Sequence, residues 1–287
     1  MRIGLHAVGI GTGADPAIIA ATARHAEALG FATLWCGEHV VMVDEPVSRY
    51  PYTPDGRIAV PAEADWLDPM TCLAFAAAHT STIRLATGIL LLPEHNPVIM
   101  AKQVASLDRL SGGRFTLGVG IGWSREEFDA LGVPFERRGQ RTAAYVAAMR
   151  ALWTDEIASV DSEFVSFRGV RVNPKPTQRH LPIILGGNSD RALTRVAEWA
   201  DGWYGFNVDG LDEVADRMAT LRAQCAERGR SADDLYIAVA LRSPSNADLG
   251  ALEDLGVSEL VIVDSPPDEA DAVEEWTATL AQRWLER

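Results

Sequence analysis

"NPVIMAKQVASLDRLSGGRFTLGVGIGW", residues 96–123, reads as a helix over 96–113 running into a strand over 114–122. Gly118, Gly120 and Gly122 then stand at alternate positions, on one side of that strand. A dinucleotide-binding turn would need its third glycine at position 123, where this chain has Trp123. Glycines along a strand have two other uses. They let a flat, bulky ligand lie against the main chain, or they let side chains pack tightly inside a closed sheet.

The alternation of strand and helix extends both ways from this stretch. Upstream, "RIGLHAV" (2–8), "TLWCGEH" (33–39) and "IRLATGILLL" (83–92) are strand candidates, separated by helical patterns over 15–30 and 68–80. Asp15 with Pro16, and Asp68 with Pro69, supply a capping carboxylate followed by proline in the first turn, and Gly30 can end the first helix. Downstream, helical patterns cover 125–131 and 139–153. Strands "LPIILGG" (181–187), "GWYGFN" (202–207), "YIAVALR" (236–242) and "ELVIVDS" (259–265) then alternate with helices at 189–199, 211–228, 247–254 and 268–285.

Eight strand–helix units in order predict an α/β fold, a single (β/α)8 TIM barrel over residues 1–287. Several strands are apolar on both faces, as burial under helices requires. An open doubly wound sheet is the other arrangement. Two connections exceed what a barrel needs. Residues 40–67, after the second strand, are expected to form a lid or pocket wall at the C-terminal face. Residues 154–180, before the fifth strand, include "FVSFRGVRVNPKP", which can pair as a hairpin.

Composition narrows the function. The chain has 40 acidic and 26 basic residues, a net charge of −14, which disfavours nucleic acid and anionic membranes as partners. Cys36, Cys72 and Cys225 are widely spaced and follow no metal-ligand pattern, so no metal site is expected and the thiols read as reduced packing residues. The N-terminal run enters a strand without a cleavage site, and the longest uncharged stretch, 69–83, is too short to span a bilayer. A cytoplasmic protein is expected.

Taken together, "TGILLLPEHNP" (87–97), "VIMAKQVASLDRLSG" (98–112) and "GRFTLGVGIGW" (113–123) resemble the luciferase-like monooxygenase family, in particular its branch using the deazaflavin coenzyme F420. The resemblance continues through "RRGQR" (137–141), "ALW" (151–153), "NPKPTQ" (173–178), "LPIILGG" (181–187) and "ADGW" (200–203), and spans most of residues 1–210. It implies a barrel that holds a deazaflavin or flavin at its C-terminal face, and a homodimer.

The resemblance also implies roles for particular residues. A non-prolyl cis peptide in the third strand would support the cofactor ring, and the matching bond is Gly88–Ile89. Glu38 and His39 match an acidic residue and histidine that contact the ring and relay a proton, a task an imidazole suits through its two nitrogens. A histidine at a strand end also serves structure alone. Gly120, Ile121, Gly122 and Trp123 would lie beside the ring, with Glu126 at a polar cofactor-contacting position. Gly186, Gly187, Asn188 and Ser189 would hold the phosphate at a helix start. Where sugar-phosphate dehydrogenases of the family carry a proton-accepting carboxylate, this chain has Trp123, which counts against oxidation of such substrates.

Charge supports the phosphate loop. From 168 to 195 six basic residues (Arg168, Arg171, Lys175, Arg179, Arg191 and Arg195) face one acidic residue, Asp190. That island could receive an acidic cofactor tail, or be a solvated face. His6 and Arg242, at strand ends, are candidates for the substrate pocket with Trp123. The expected activity is hydride transfer between F420 and a small organic substrate. The rivals are an FMN-dependent monooxygenase of the same family and a non-catalytic flavin-binding barrel. The absence of zinc spacing and of a G-x-S-x-G elbow disfavours hydrolases.

Overall fold

Asp15 and Asp68 cap as their positions predict. Asp15 accepts from the N–H groups of Ala17 and Ile18, and Asp68 from that of Thr71. These caps start α1 (Pro16–Leu29) and α2 (Pro69–Ala78), and Gly30 ends α1 in the left-handed region at φ 91°. The computed structural model describes residues 1–286. In it α1 and α2 alternate with β1 (Arg2–His6), β2 (Thr33–Cys36) and β3 (Arg84–Thr87). Then come α3 (Pro97–Leu110), β4 (Phe115–Val119), α4 (Arg125–Ala130) and α5 (Arg138–Thr154).

The expected hairpin is present as antiparallel β5 (Ala158–Asp161) and β6 (Ser166–Val170), outside the main sheet. The alternation resumes with β7 (Ile183–Gly186), α6 (Asp190–Trp199), β8 (Gly202–Val208), α7 (Leu211–Glu227), β9 (Tyr236–Leu241), α8 (Leu249–Asp254), β10 (Glu259–Val263) and α9 (Val273–Trp284). Eight strands close into a barrel in the order β1-β2-β3-β4-β7-β8-β9-β10, every pair parallel, with β1 against β10 sealing the ring. The closed barrel is therefore the architecture, and the open sheet is excluded.

The barrel interior is a packed core. Trp35, Ala86, Ile184, Tyr204, Ala238, Ala240 and Val261 form one buried cluster, in which the Trp35 and Tyr204 rings stack at 4.8 Å. A buried carboxylate, Glu259, closes the opposite end and accepts from Thr33 Oγ1, Trp35 Nε1 and Tyr236 Oη. A larger apolar cluster fills the space between strands and helices. Both fillings are what a strand buried on two faces requires. The strand ends differ from the sequence reading at one place that matters. β3 stops at Thr87, just before the cis peptide bond Gly88–Ile89, and β4 at Val119, with one further bridge pairing Leu90 and Val119. No helix among the described residues is long and apolar enough to cross a membrane.

Candidate functional site

The C-terminal strand ends open into two joined chambers, under a roof made by residues 40–67. One, of about 800 Å³, is bordered by the Gly186–Ser189 loop, Arg138 and Arg195. The other, of about 370 Å³, is walled by His6, Val8, Ile10, Trp66, Phe206 and Val263. Tyr52, Ile89, Leu91, Trp123, Gly186 and Gly187 border both, so Ile89 stands at their junction.

The roof is tied down by specific bonds. Glu126 accepts from the N–H groups of Val47 and Ser48 at 2.7 and 3.0 Å, and Asn207 Nδ2 donates to the Tyr52 carbonyl at 2.6 Å. Trp66 Nε1 donates to the Gly37 carbonyl. Edge-to-face contacts run from Trp123 to Tyr50, on to Tyr52 and then Phe206, with centroids 5.3–5.7 Å apart. Trp123 is thus a wall shared by both chambers. Glu126, expected at a cofactor-contacting position, has its carboxylate bonded to the roof and borders neither chamber.

The alternating glycines do not form one bare ledge. A side chain at Gly118 would run into the Thr87 carbonyl inside the β3–β4 pair. One at Gly120 would run into Ile89 Cδ1, and one at Gly186 would come within 3.0 Å of Ile89 Cγ2. At Gly122, φ is +74° and a Cβ would sit 2.9 Å from Glu94 Oε1. So Gly120 and Gly186 make room for Ile89, whose side chain is the platform between the chambers. Gly88 lies beneath, where a Cβ would come within 3.0 Å of Trp35 Cε3, and Ile121 borders the larger chamber.

Glu38 and His39 are adjacent in sequence but bonded to different partners. Glu38 is buried, accepts from the Leu91 N–H at 2.5 Å, and meets His95 Nε2 at 3.0 Å. Both oxygens are therefore engaged in holding the loop that follows Ile89. His39 instead places Nδ1 2.8 Å from Glu127 Oε2, while its Nε2 receives Trp123 Nε1–H at 3.4 Å. That pattern assigns the proton to Nδ1. Glu38, expected with His39 at the ring, is bonded to Leu91 and His95 and borders the smaller chamber, while Glu127 is the carboxylate paired with His39. Glu127 also accepts from the N–H groups of Val40 and Val41.

Three carboxyl groups thus converge behind the chambers. Glu94, buried with neither oxygen hydrogen-bonded among the described residues, lies near Glu127 and Glu38. Burial first, then the charges of Glu127 and Glu38, push its pKa up to about 9. Burial opposes charge on His95, but the hydrogen bond and charge of Glu38 outweigh it and raise the pKa above the usual imidazole value. A protonated Glu94 and a proton-rich His95 keep the cluster from carrying three bare negative charges.

In the larger chamber, Ser189 caps α6 by accepting from the Ala192 N–H, and Asn188 Nδ2 holds the Phe206 carbonyl, leaving Asn188 Oδ1 buried and unpartnered. Gly187 lies at φ +116°, where a side chain would be strained. Arg49, Arg138 and Arg195 all border this chamber, and none has an ion-pair partner among the described residues. Burial, and then the charges of Arg195 and Arg125, lower the Arg138 pKa; burial leads for Arg195 as well, with Arg191 adding to it. An anion would relieve that repulsion, and the cleft beside a helix start suits one.

The linear basic island is corrected. Arg171 pairs with Glu156 and Lys175 donates to the carbonyls of Leu152 and Asp155, so of its six members only Arg195 borders the chamber. Arg49 and Arg138 supply the charge in its place. Arg242, a candidate for the substrate pocket, pairs with Asp209 at 2.5 Å and borders the larger chamber. His6 does border the apolar chamber.

A family model described as luciferase-like monooxygenase matches residues 3–281. An uncharacterized protein of Mycobacterium tuberculosis is 37% identical over 266 residues, 91% of this chain and 93% of that protein. A monooxygenase from Streptomyces bottropensis shares the fold with TM-score 0.77 at 19% identity, over 99% of both chains. The coenzyme F420-dependent tetrahydromethanopterin reductase of Methanopyrus kandleri does so with TM-score 0.72 at 17% identity, over 99% of this chain and 98% of that one. The barrel, its paired chambers and the match along nearly its whole length place this chain in the luciferase-like monooxygenase family of oxidoreductases.

Proposed function

We propose that this protein is an F420-dependent oxidoreductase that transfers hydride between the deazaflavin and a small organic substrate. The observation that carries the reading is the larger chamber, with three guanidiniums free of ion pairs beside a glycine-rich helix start. A phosphate followed by an acidic tail needs that many cations over that length; a single phosphate does not. When bound, the deazaflavin would accept or donate the hydride, and the rest falls to this chain. Gly186–Ser189 and the start of α6 would hold the phosphate, Arg49, Arg138 and Arg195 the acidic tail, and Ile89 the back of the ring. His39, with Glu127 fixing its tautomer, would move the proton at Nε2 once the Trp123 N–H yields that position. The 40–67 roof would exclude water.

The match to the luciferase-like monooxygenase family model supports a second reading, an FMN-dependent monooxygenase. Titrating cofactor-free protein with F420 and with FMN, followed by cofactor fluorescence, separates the two. Binding of F420 at least tenfold tighter than FMN is expected; FMN alone binding reverses the assignment. Tight binding with no turnover of any carbonyl or alkene substrate would instead support a flavin carrier.

A further inference from the structure

His6 has a nitrogen with nothing to bond. It ends β1, is 7% exposed, and turns its ring toward the apolar chamber, where Nε2 is buried without a partner among the described residues. On its other side, Nδ1 lies 3.4 Å from the Tyr204 hydroxyl. Tyr204 is fully buried, and His6 is the only hydrogen-bond partner its hydroxyl has among the described residues. The hydroxyl therefore satisfies its proton only by donating it to Nδ1. That fixes the tautomer and puts the ring proton on Nε2, an orphan donor buried at the chamber wall. Burial depresses the His6 pKa to about 4, so the ring is neutral near pH 7.

The surroundings say what would accept that proton. Val8, Ile10, Val60, Trp66, Phe206 and Val263 give the chamber an apolar wall. No lysine or arginine borders it. Of its carboxylates, Glu38 is engaged by Leu91 and His95, and Asp264 lies exposed at the rim, accepting from the Ser265 N–H. A charged ligand would find no counter-ion inside and would pay the cost of desolvation. A chamber of about 370 Å³ takes a compact molecule, and it adjoins the Ile89 platform.

We infer that the substrate is an uncharged, mostly apolar carbonyl compound, and that His6 Nε2–H binds its carbonyl oxygen from the apolar chamber. This rests on the proposed hydride transfer and places the substrate in that chamber beside the Ile89 platform, but its test does not need the cofactor. A neutral donor on the oxygen stabilises the negative charge that develops there when hydride reaches the carbonyl carbon, and the oxygen then takes the proton relayed by His39 in the proposed activity to become the alcohol. The electron pair comes from the reduced deazaflavin of the proposed activity.

The test is calorimetric titration of cofactor-free protein with three matched probes, a ten-carbon monocyclic ketone, the carboxylate of the same skeleton, and the hydrocarbon. The ketone should bind at least tenfold tighter than the carboxylate, and His6→Phe should weaken it roughly tenfold while leaving the hydrocarbon unchanged. Tyr204→Phe, which keeps His6 but frees its tautomer, should cost a smaller factor. Carboxylate binding equal to ketone binding, no ketone binding at all, or indifference to both substitutions would overturn the inference. The wild-type comparison needs no variant to fold. Failure of F420 to bind in the separate titration would sink the cofactor assignment and leave this result standing.

Discussion

His39 Nδ1 and Glu127 Oε2 lie 2.8 Å apart, although 88 positions separate them in the chain. The contact joins the end of β2 to α4, and the same carboxylate receives the N–H groups of Val40 and Val41. One buried side chain thus sets the tautomer of the candidate proton carrier and anchors the first residues of the roof. Glu127→Gln keeps the shape but weakens the grip on the imidazole. Its turnover should fall by roughly 10²-fold, while cofactor affinity changes by less than about threefold. Steady-state kinetics beside a cofactor titration would check this; equal losses in both would mean Glu127 only supports the fold.

Glu94 links charge to stability. The folded protein holds its proton up to about pH 9, whereas an unfolded chain releases it near pH 4.5. Between those values the folded state binds more protons, so this group lowers stability as pH rises through the window. Glu94→Met removes the titration and fills the space. The variant should gain on the wild type between pH 5 and 9 by roughly 5 °C in Tm. A constant difference across that range, measured by thermal melts, would show that Glu94 ionises normally.

Much of the fold was legible because local signals agreed with the global pattern. Asp15, Asp68 and the following prolines marked helix starts, and strands apolar on both faces marked a sheet covered by helices. The site was only half legible. Glu127 stands in the first turn of a helix, where an acidic residue is favoured without any distant partner, and nothing in the sequence links it to His39. Ser124 does accept from the Glu127 N–H, but the Glu127 side chain goes to His39. The basic run from 168 to 195 misled for a related reason: the β5–β6 hairpin carries its first half out of the barrel, and charge near in sequence is parted in space. Arg138 lay in plain view within "RRGQR", yet only closure of the barrel brings it beside Arg195.

Gly120 makes room for Ile89, and a substitution pair can prove it. Gly120→Ala drives a Cβ into Ile89 Cδ1 and should cost roughly 1–3 kcal/mol. Ile89→Val removes that δ carbon. The double variant should recover more than half of the loss, a coupling that chemical denaturation of the four proteins would measure. Additive effects would place the Gly120 constraint elsewhere.

The roof depends on Glu126 in the same way. Its carboxylate is the partner of two backbone N–H groups at 47 and 48, with Ser48 Oγ accepting from the Arg125 N–H beside it. Glu126→Ala removes the first two bonds without touching either chamber. Cleavage within 40–67 under limited proteolysis should quicken about tenfold, with global Tm little changed. A cofactor affinity left intact in the same variant would confirm that Glu126 holds the loop and not the ligand.

Arg138 and Arg195 stand together at a cost that Glu136 and Glu198 offset in part and a bound anion would offset further. Each is lowered in pKa, by burial first, and the Arg195 charge acts on Arg138. In the cofactor-free protein, removing one should therefore relieve the other, so Arg195→Ala should not lower Tm. In the loaded protein the same change deletes a partner of the acidic tail and should weaken F420 binding by roughly tenfold. The opposite signs are the point of the experiment. They should be accompanied by a shallower dependence of F420 affinity on salt, since one fewer charge pair is screened. Shortening the acidic tail of the coenzyme should erase most of the difference between wild type and variant. If Arg195→Ala destabilises the empty protein and leaves affinity and salt dependence untouched, the guanidinium is a packing residue and the tail lies elsewhere.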